Sequence, residues 1–279
     1  MNRVDLKRKV LKSLRAQGFR LRDGALTPPA PTDKTALRRL HSLSVQHMID
    51  RSEDGLRHHE DRLLLHVANG SDVNVAAISP RLVRVRANTE SELLFRYLRL
   101  HWSIPVSAGY GRRLRFLVVD DHNDKVIGLV GLGDPIYGLG PRDAWIGWTG
   151  EQKKNRLKCV MDAFVLGAVP PYSGLLCGKL VAMLVASDQV RRAFYQKYGG
   201  RSSLIARERL DGRLALVTTT SALGRSSVYN RVRFNGESLF MSIGFTKGSG
   251  EFHFSNGLYN DLWKYATRWC VSTGKHEQW

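Results

Sequence analysis

Three aspartates stand where a metal-dependent reaction on nucleic acid would need them. Asp134 and Asp143 lie in the glycine-containing turns of GLGDP and GPRDAW, after a predicted strand, where loops often carry function. Carboxylates placed by such loops bind Mg²⁺ for phosphodiester cleavage. Asp162, in the apolar stretch CVMDAF, joins them if its strand lies beside the turns, so Asp134 and Asp162 are candidate metal ligands. The alternative is a helix cap, a surface turn and a buried aspartate–arginine pair.

A second candidate site is the segment TSALGRSSVYNR, at a predicted helix start after a strand. Arg225, Ser226, Asn230 and Arg231 provide hydroxyl, amide and guanidinium donors that suit a phosphate. Tyr229 is the candidate nucleophile of a strand-transfer enzyme, and its alternative role is packing.

A third candidate site is GFTKGSGEFHFSNGLY. Lys247 belongs to a glycine-rich loop, and His253 stands between Phe252 and Phe254. A histidine that titrates near neutrality can act as a general acid or base, and the neighbouring aromatic rings suit stacking on unpaired bases. The alternative is an alternating strand with its phenylalanines in the core.

The charge points to a polyanionic partner, and the alternative is that it serves only the solubility of the protein. The 279 residues contain 43 Lys and Arg against 25 Asp and Glu, which gives a net charge of +18. Residues 1–40 carry 11 basic and 3 acidic residues, residues 81–115 carry 8 and 2, and residues 191–233 carry 10 and 2. Neutralising phosphates releases counterions, so clustered cations favour DNA or RNA. The further candidate contacts are Arg112, Arg113, Arg115 and Lys179.

Other classes are excluded by composition. A hydrophobic content of 43% rules out a disordered chain. No run approaches the length of about 20 apolar residues that a membrane span needs, and the charged N-terminus lacks the apolar core of a signal peptide. Three scattered cysteines form neither a disulfide framework nor a zinc site. We therefore expect a soluble, cytoplasmic protein without a membrane partner.

The pattern of the first 110 residues is mainly helical. A basic helix over 4–17 precedes the proline-rich break TPPAPT, and residues 1–32 are predicted to be an appendage that acts as a movable clamp. Asp33 is the predicted N-cap of the next helix, and further helices are expected over 52–67 and 89–100. Residues 33–110 thus form a helical N-terminal region.

From residue 111 onwards the pattern predicts an α+β core. A hairpin over 113–120 and 125–135 precedes a buried strand over 157–169, a helix after Pro170–Pro171 and a helix capped by Asp188. A strand over 214–224, a helix over 225–233, a short strand pair or extended segment over 238–246 and a helix over 258–271 follow.

This order resembles the core of GNAT acyltransferases, a mixed sheet flanked by helices. The resemblance implies a coenzyme A pyrophosphate loop at 172–179. The glycine spacing there departs from the family pattern, so acetyl-CoA is not an expected cofactor.

A more extensive resemblance covers residues 75 to 262. Segments such as GLVGLGDPIYGLGPRDAWIGW, CVMDAFVLGAVPPYSGLLCGKLVAMLVAS and TTTSALGRSSVYNR are similar to the DruA family, named for the Druantia anti-phage system and found also near transposon genes. The resemblance implies defence or mobile-element biology, with partner proteins of those systems. The expected function is nucleic-acid binding, with DNA processing as its catalytic version. The alternative is a GNAT-fold acyltransferase that acts on a nucleic-acid-associated substrate.

Overall fold

A computed structural model describes residues 2–28, 33–106, 111–202, 209–221, 226, 228–246 and 254–271. The helices are α1 (Arg3–Ala16), α2 (Lys34–Leu56), α3 (Glu60–Leu64), α4 (Glu90–Leu98), α5 (Gly140–Ile146), α6 (Gly150–Arg156), α7 (Cys177–Leu184), α8 (Asp188–Tyr198) and α9 (Asn256–Trp269). The strands are β1 (Arg20–Arg22), β2 (Ala25–Thr27), β3 (Pro80–Arg84), β4 (Arg113–Asp120), β5 (Lys125–Gly133), β6 (Val160–Ala168), β7 (Leu216–Thr218), β8 (Arg233–Phe234) and β9 (Glu237–Ser238).

A five-stranded mixed sheet in the order β3-β4-β5-β6-β7 is the centre of the fold. The first four strands are antiparallel to their neighbours, and β7 runs parallel to β6. The register pairs Arg113 with Gly133, and Gly133 with Asp162. These three residues therefore form a row across the sheet at the ends of three strands.

Each face of the sheet carries its own core. Helices α7 and α8 cover one face, where Val181 and Phe194 pack with Leu114 of β4. Helix α4 covers the other face, where Phe95 packs with Leu117. Strands β4 and β5 are buried along almost their whole length, because a strand covered on both faces is apolar at successive positions.

The predicted core elements are largely confirmed. The hairpin of β4 and β5, the buried strand β6, the two helices after the Pro-Pro pair and the C-terminal helix are all present. Asp33 caps α2 as predicted, since its carboxylate accepts from the backbone N–H groups of Thr35 and Ala36 at 3.0 and 2.9 Å. Ser187 occupies the N-cap position of α8 without a capping hydrogen bond from its side chain, so the predicted cap at Asp188 is one residue too late.

The predicted helix over 225–233 is wrong in its described part. Residues Tyr229–Arg231 form a single 3-10 turn, and the chain then enters the hairpin of β8 and β9. The two residues between these strands, Asn235 and Gly236, both have positive φ, at 49° and 84°. Asn-Gly favours such two-residue hairpin turns, so the sequence did contain the hairpin signal.

Two further predicted elements differ from the structure. In its described part, residues 214–221, the strand expected over 214–224 is regular over Leu216–Thr218. Of the strand pair or extended segment expected over 238–246, Ser238 belongs to β9, and residues 239–246 contain no regular element. The helix expected over 52–67 is interrupted, since α2 continues to Leu56 and a 3-10 turn separates it from α3.

Helix α1 packs into the fold instead of standing apart from it. Its Leu14 is buried with Phe19, Leu37 and Leu40. The Lys9 ammonium also lies 2.7 Å from the carboxylate of Asp261 in α9. The expected movable clamp is therefore wrong, whereas the domain boundaries after residues 32 and 110 stay predictions.

None of the helices in the described ranges combines the length and the apolar character that a membrane crossing requires.

Candidate nucleic-acid interface

Cations from four parts of the chain converge at the start of β4. Two of the three basic stretches of the sequence, residues 81–115 and 191–233, supply them. We call this group the cation cluster, because its members contact one another or act on one another's charges. They are Arg84 of β3, Arg96 of α4, Arg99 in the turn after α4, Arg113 and Arg115 of β4, Lys197 of α8, and Arg201.

Arg113 and Arg115 lie two residues apart on β4, so both project from the face that α4 covers. The guanidinium carbon of Arg113 is 4.3 Å from the ring centre of Phe164, and that of Arg115 is 5.6 Å from the ring centre of Phe95. Arg115 also donates to Glu92 Oε1 at 2.5 Å. Stacking over aromatic faces orients both guanidinium groups.

Lys197 reaches the same place because β3 ends early. Strand β3 pairs with β4 up to Arg84, and the N–H of Val85 still donates to the carbonyl of Arg115. The carbonyl of Arg113 lies beyond this pairing. It accepts hydrogen bonds from Lys197 Nζ at 2.5 Å and from the Tyr198 hydroxyl at 2.6 Å.

The cations of the cluster act on one another's pKa values. Burial lowers the pKa of Lys197, and the charges of Arg84, Arg115 and Arg201 lower it further. Burial and then Arg115 lower the pKa of Arg113, against a raising effect of Asp134.

Arg99 is a third member of the cation cluster whose pKa is lowered. Burial lowers its pKa, as do Arg96, Arg115 and Arg113. Its Nε is buried, and no hydrogen-bond partner lies within the described residues. Like charges held together in this way cost free energy, and an anion on the cluster offsets that cost.

Arg112 connects neighbouring strands through its hydrogen bonds and is not a member of the cation cluster. Its Nε lies 2.5 Å from Asp134 Oδ1, its Nη2 donates to the carbonyl of Val160 at 3.1 Å, and its Nη1 donates to the carbonyl of Lys158. The backbone N–H of Arg112 donates to the other oxygen of Asp134 at 2.8 Å. Asp134, predicted as a catalytic group and metal ligand, thus joins the start of β4 to the end of β5.

Asp143 is paired with two cations outside the cation cluster. The side chain of Arg142 is fully buried and donates twice to Asp143 Oδ1, at 2.6 and 2.8 Å, and to the carbonyls of Ile136 and Tyr137. Lys153 donates to the other oxygen of Asp143 at 3.1 Å. Burial by itself raises the pKa of Asp143, but hydrogen bonds from Arg142 and Lys153 outweigh it and lower the pKa.

Asp162 lies on β6 opposite Thr218 of β7, whose hydroxyl donates to it at 2.7 Å. Burial raises the pKa of Asp162, and the Thr218 hydrogen bond and the charge of Arg142 only partly oppose this. In the described ranges, no three His, Cys, Asp or Glu side chains meet in a group that could hold a metal ion. The metal role of Asp134 and Asp162 stays a prediction, and the contacts with Arg112 and Thr218 already engage these two carboxylates.

The hydroxyl of Tyr229 is directed into the sheet. It donates to the carbonyl of Leu166 at 3.2 Å, and the ring stacks on Phe240 with centres 5.2 Å apart. Burial raises the pKa of Tyr229, which makes it less nucleophilic, so the arrangement is that of a packing residue.

The other predicted residues are dispersed. Asn230 and Arg231 are exposed, Ser226 is half-buried near Tyr229, and Lys179 is half-buried in α7. Arg225, Lys247 and His253 lie outside the described residues.

The fold and the cation cluster define a basic α+β protein built on a mixed sheet. The profile of the family described as Druantia protein DruA matches residues 31–279, a longer span than the motifs alone had indicated. The chain belongs to this family.

A relative in this family is the Druantia protein DruA of Escherichia coli (strain UMEA 4076-1). It is 42% identical over 266 residues, which are 95% of this chain and 66% of the relative. The chain therefore spans about two thirds of the length of that relative. No solved structure matches the chain.

Proposed function

We propose that this protein is a nucleic-acid-binding component of an anti-phage defence system, and that the cation cluster contacts the phosphates. Membership of the DruA family supports the defence role. Partner proteins of the same defence system, or of a mobile element, are part of this proposal.

The cation cluster is the observation that carries the proposal. Seven cations from separate segments lie at one end of the sheet, and three of them have pKa values lowered by burial and by neighbouring cations. Such an arrangement is costly for the free protein and complementary to a polyanion. Guanidinium groups also suit the geometry of phosphate oxygens, to which they can donate two parallel hydrogen bonds.

The proposal concerns binding and not cleavage. Asp134 is engaged by Arg112, Asp143 by Arg142 and Lys153, and Tyr229 by a backbone carbonyl. Phosphodiester cleavage with Mg²⁺, or strand transfer, would require these contacts to be rearranged.

The test is a titration of single-stranded DNA, duplex DNA and RNA at several salt concentrations, read by fluorescence anisotropy. One variant removes three cluster charges through Arg84→Gln, Arg96→Gln and Lys197→Gln. A matched control removes three other charges, through Arg51→Gln, Arg57→Gln and Lys154→Gln, at positions that are exposed.

We expect the cluster variant to bind at least about tenfold more weakly and to lose about 2 to 3 units of the log–log salt slope, since each phosphate contact contributes about 0.7–0.9. The control should change little. Equal losses in the two variants would assign binding to the overall charge instead of the cluster. Salt-independent binding would contradict the proposal itself.

A second candidate function is a GNAT-fold acyltransferase. The strand order supports it, because four antiparallel strands are followed by a parallel fifth strand after α7 and α8. Against it, Tyr172 in the predicted pyrophosphate loop is fully buried, with its hydroxyl 2.9 Å from Asp120 Oδ2. A rise in melting temperature with acetyl-CoA supports this function, and no change counts against it.

A further inference from the structure

We propose that the cation cluster holds the terminal phosphate of a nucleic-acid strand, a phosphomonoester dianion, with Arg99 at the centre of the site. This inference rests on the proposed nucleic-acid-binding function. It specifies a phosphorylated strand end, 5′ or 3′, as the part of the substrate that the cluster recognises.

The cation cluster consists of an outer and an inner set. The outer set is exposed, and its members are Arg84, Arg96 and Arg201. The inner set is half-buried, and its members are Arg99, Arg113, Arg115 and Lys197. A ligand that engages both sets must therefore insert one charged group among the inner cations while the rest of it stays at the outer ones.

Three of the inner cations are held in place by other parts of the protein. The guanidinium groups of Arg113 and Arg115 lie over the rings of Phe164 and Phe95. The ammonium group of Lys197 is bound to the carbonyl of Arg113. Side chains that are already ordered lose little conformational freedom when a ligand binds, so this arrangement favours a small, rigid anion.

Arg99 is the inner cation that lacks an acceptor. Its Nε is buried and has no hydrogen-bond partner among the described residues. Burial and the charges of Arg96, Arg115 and Arg113 lower its pKa, and in the part of the chain that the structure describes no carboxylate opposes them. Because an anion beside Arg99 would relieve this repulsion, the charged group of the ligand is expected there.

A terminal phosphate suits the inner set better than an internal phosphodiester does. Glu92 offsets one of the four inner charges through its ion pair with Arg115, so a surplus of positive charge remains. A phosphomonoester carries about 1.5 to 2 negative charges near pH 7 and offers three free oxygens to guanidinium donors. A phosphodiester within a strand carries a single charge and has sugars on both sides. A strand leaves its terminal phosphate on one side only, and the outer cations can then contact the phosphates that follow.

The experiment compares the ends of one short DNA strand by competition against a labelled strand, read by fluorescence anisotropy. The competitors carry a 5′ phosphate, a 3′ phosphate, hydroxyl ends, or the preferred phosphate as its monomethyl ester. Each is tested as a single strand and annealed to a hydroxyl-ended complement. The methyl ester keeps the phosphorus but has one charge and two free oxygens, so it is the matched control for the ligand.

The protein variants separate the inner set from the outer set. Arg99→Gln removes the central inner charge, and Arg84→Gln combined with Arg96→Gln removes two outer charges. Arg51→Gln is the matched control, because Arg51 is an exposed arginine of α2.

We expect one phosphate end to bind the parent at least about tenfold more tightly than the hydroxyl end, since the added charge gains charge-assisted hydrogen bonds. The methyl ester should bind much like the hydroxyl end. Arg99→Gln should lose the preference for the phosphate end and melt at or above the parent temperature, because a cation leaves a group of like charges. The outer variant should bind every strand more weakly and keep the preference, and Arg51→Gln should behave like the parent.

Equal affinity of the parent for phosphate and hydroxyl ends would overturn this inference, as would a preference that Arg99→Gln retains. A methyl ester that binds as tightly as the monoester would assign the inner set to internal phosphodiesters. If Arg99→Gln does not fold, the comparison of monoester and methyl ester on the parent decides. In each case the proposed function stands if the triple cluster variant still weakens binding. If none of the strands binds the parent, the proposed function fails as well.

Discussion

Lys197 Nζ lies 2.5 Å from the carbonyl oxygen of Arg113, a residue that is itself a cation. The bond places an ammonium group at the start of β4, beside guanidinium groups, where burial and those charges lower the pKa of Lys197. Two stretches of sequence with surplus positive charge meet through this contact. The relationship between Lys197 and Arg113 thus links the fold directly to the proposed phosphate site.

The first prediction concerns the pH dependence of binding. A phosphate near Lys197 stabilises its protonated form, so binding raises its lowered pKa and takes up a proton. Affinity should therefore fall as the pH rises from neutrality towards the usual lysine pKa of about 10.4. Lys197→Met should bind more weakly and lose part of this pH dependence, measured by anisotropy at constant salt. Lys179→Met serves as the control and should keep it.

The lowered pKa of Lys197 also affects how the free energy of unfolding depends on pH. The pKa of Lys197 is lower in the folded state than in the unfolded state, so the folded protein loses the proton first. The free energy of unfolding of the unbound protein should then increase with pH across this interval. An identical pH profile in Lys197→Met and the parent would contradict the assignment.

The second prediction separates structure from catalysis at Asp134. Asp134→Asn weakens the contact that holds Arg112 against the sheet. We expect a loss of about 1–3 kcal/mol in the free energy of unfolding, measured by chemical denaturation, because a partly buried guanidinium loses its charged partner. Nucleic-acid affinity should remain close to that of the parent. A parent protein that cleaves DNA with Mg²⁺, and a variant that is equally stable but inactive, would instead restore the metal-site hypothesis.

The third prediction uses the raised pKa of Asp162. Because burial makes its charged form costly, the folded state holds the proton more tightly than the unfolded state does. The contribution of Asp162 to stability therefore declines as the pH rises through the interval between its unfolded and folded pKa values. Asp162→Asn can still accept from the Thr218 hydroxyl and carries no charge. It should melt at or above the parent temperature at neutral pH, and a marked loss would show that the charge itself is needed.

The core was predictable because its elements have strong local signals. The alternation and apolar runs of β4, β5 and β6 are bounded by turn residues, and Asp33 marks the start of α2. Short elements were harder to predict. The chain enters β8 where a helix was expected, because the Asn235–Gly236 turn outweighs the weak helical pattern before it.

The candidate site was only partly predictable, for a physical reason. Arg113 and Arg115 were candidates from the sequence, since they lie together in a basic stretch. Arg99 and Lys197 were missed because their approach depends on how β3, α4 and α8 pack around β4. The local surplus of charge was the available signal, but sequence does not show which basic stretches meet. Conversely, Arg112 is also an arginine and directly precedes Arg113. Its hydrogen bonds to Asp134 and to the carbonyl of Val160 nevertheless give it a structural role.

The last prediction concerns Gly133, which is paired with Arg113 across the sheet. A Cβ atom at this position would lie 2.9 Å from Arg113 Nη1 and 3.3 Å from Phe164 Cδ1. The guanidinium is the flexible end of its side chain, so Gly133→Ala should displace it from its place above Phe164 while the fold is kept. We expect nucleic-acid affinity to fall by up to about tenfold, less than a complete loss of a charge-assisted contact would cost.

Gly138→Ala is the matched control for this change, because a Cβ atom there meets no other atom within 4 Å. It should leave both affinity and melting temperature unchanged. The decisive measurement repeats Gly133→Ala in an Arg113→Gln background. If the glycine acts by leaving room for the guanidinium, the alanine should have little further effect on affinity once that guanidinium is gone. Additive losses in the double variant would show that Gly133 influences binding by another route than the position of Arg113.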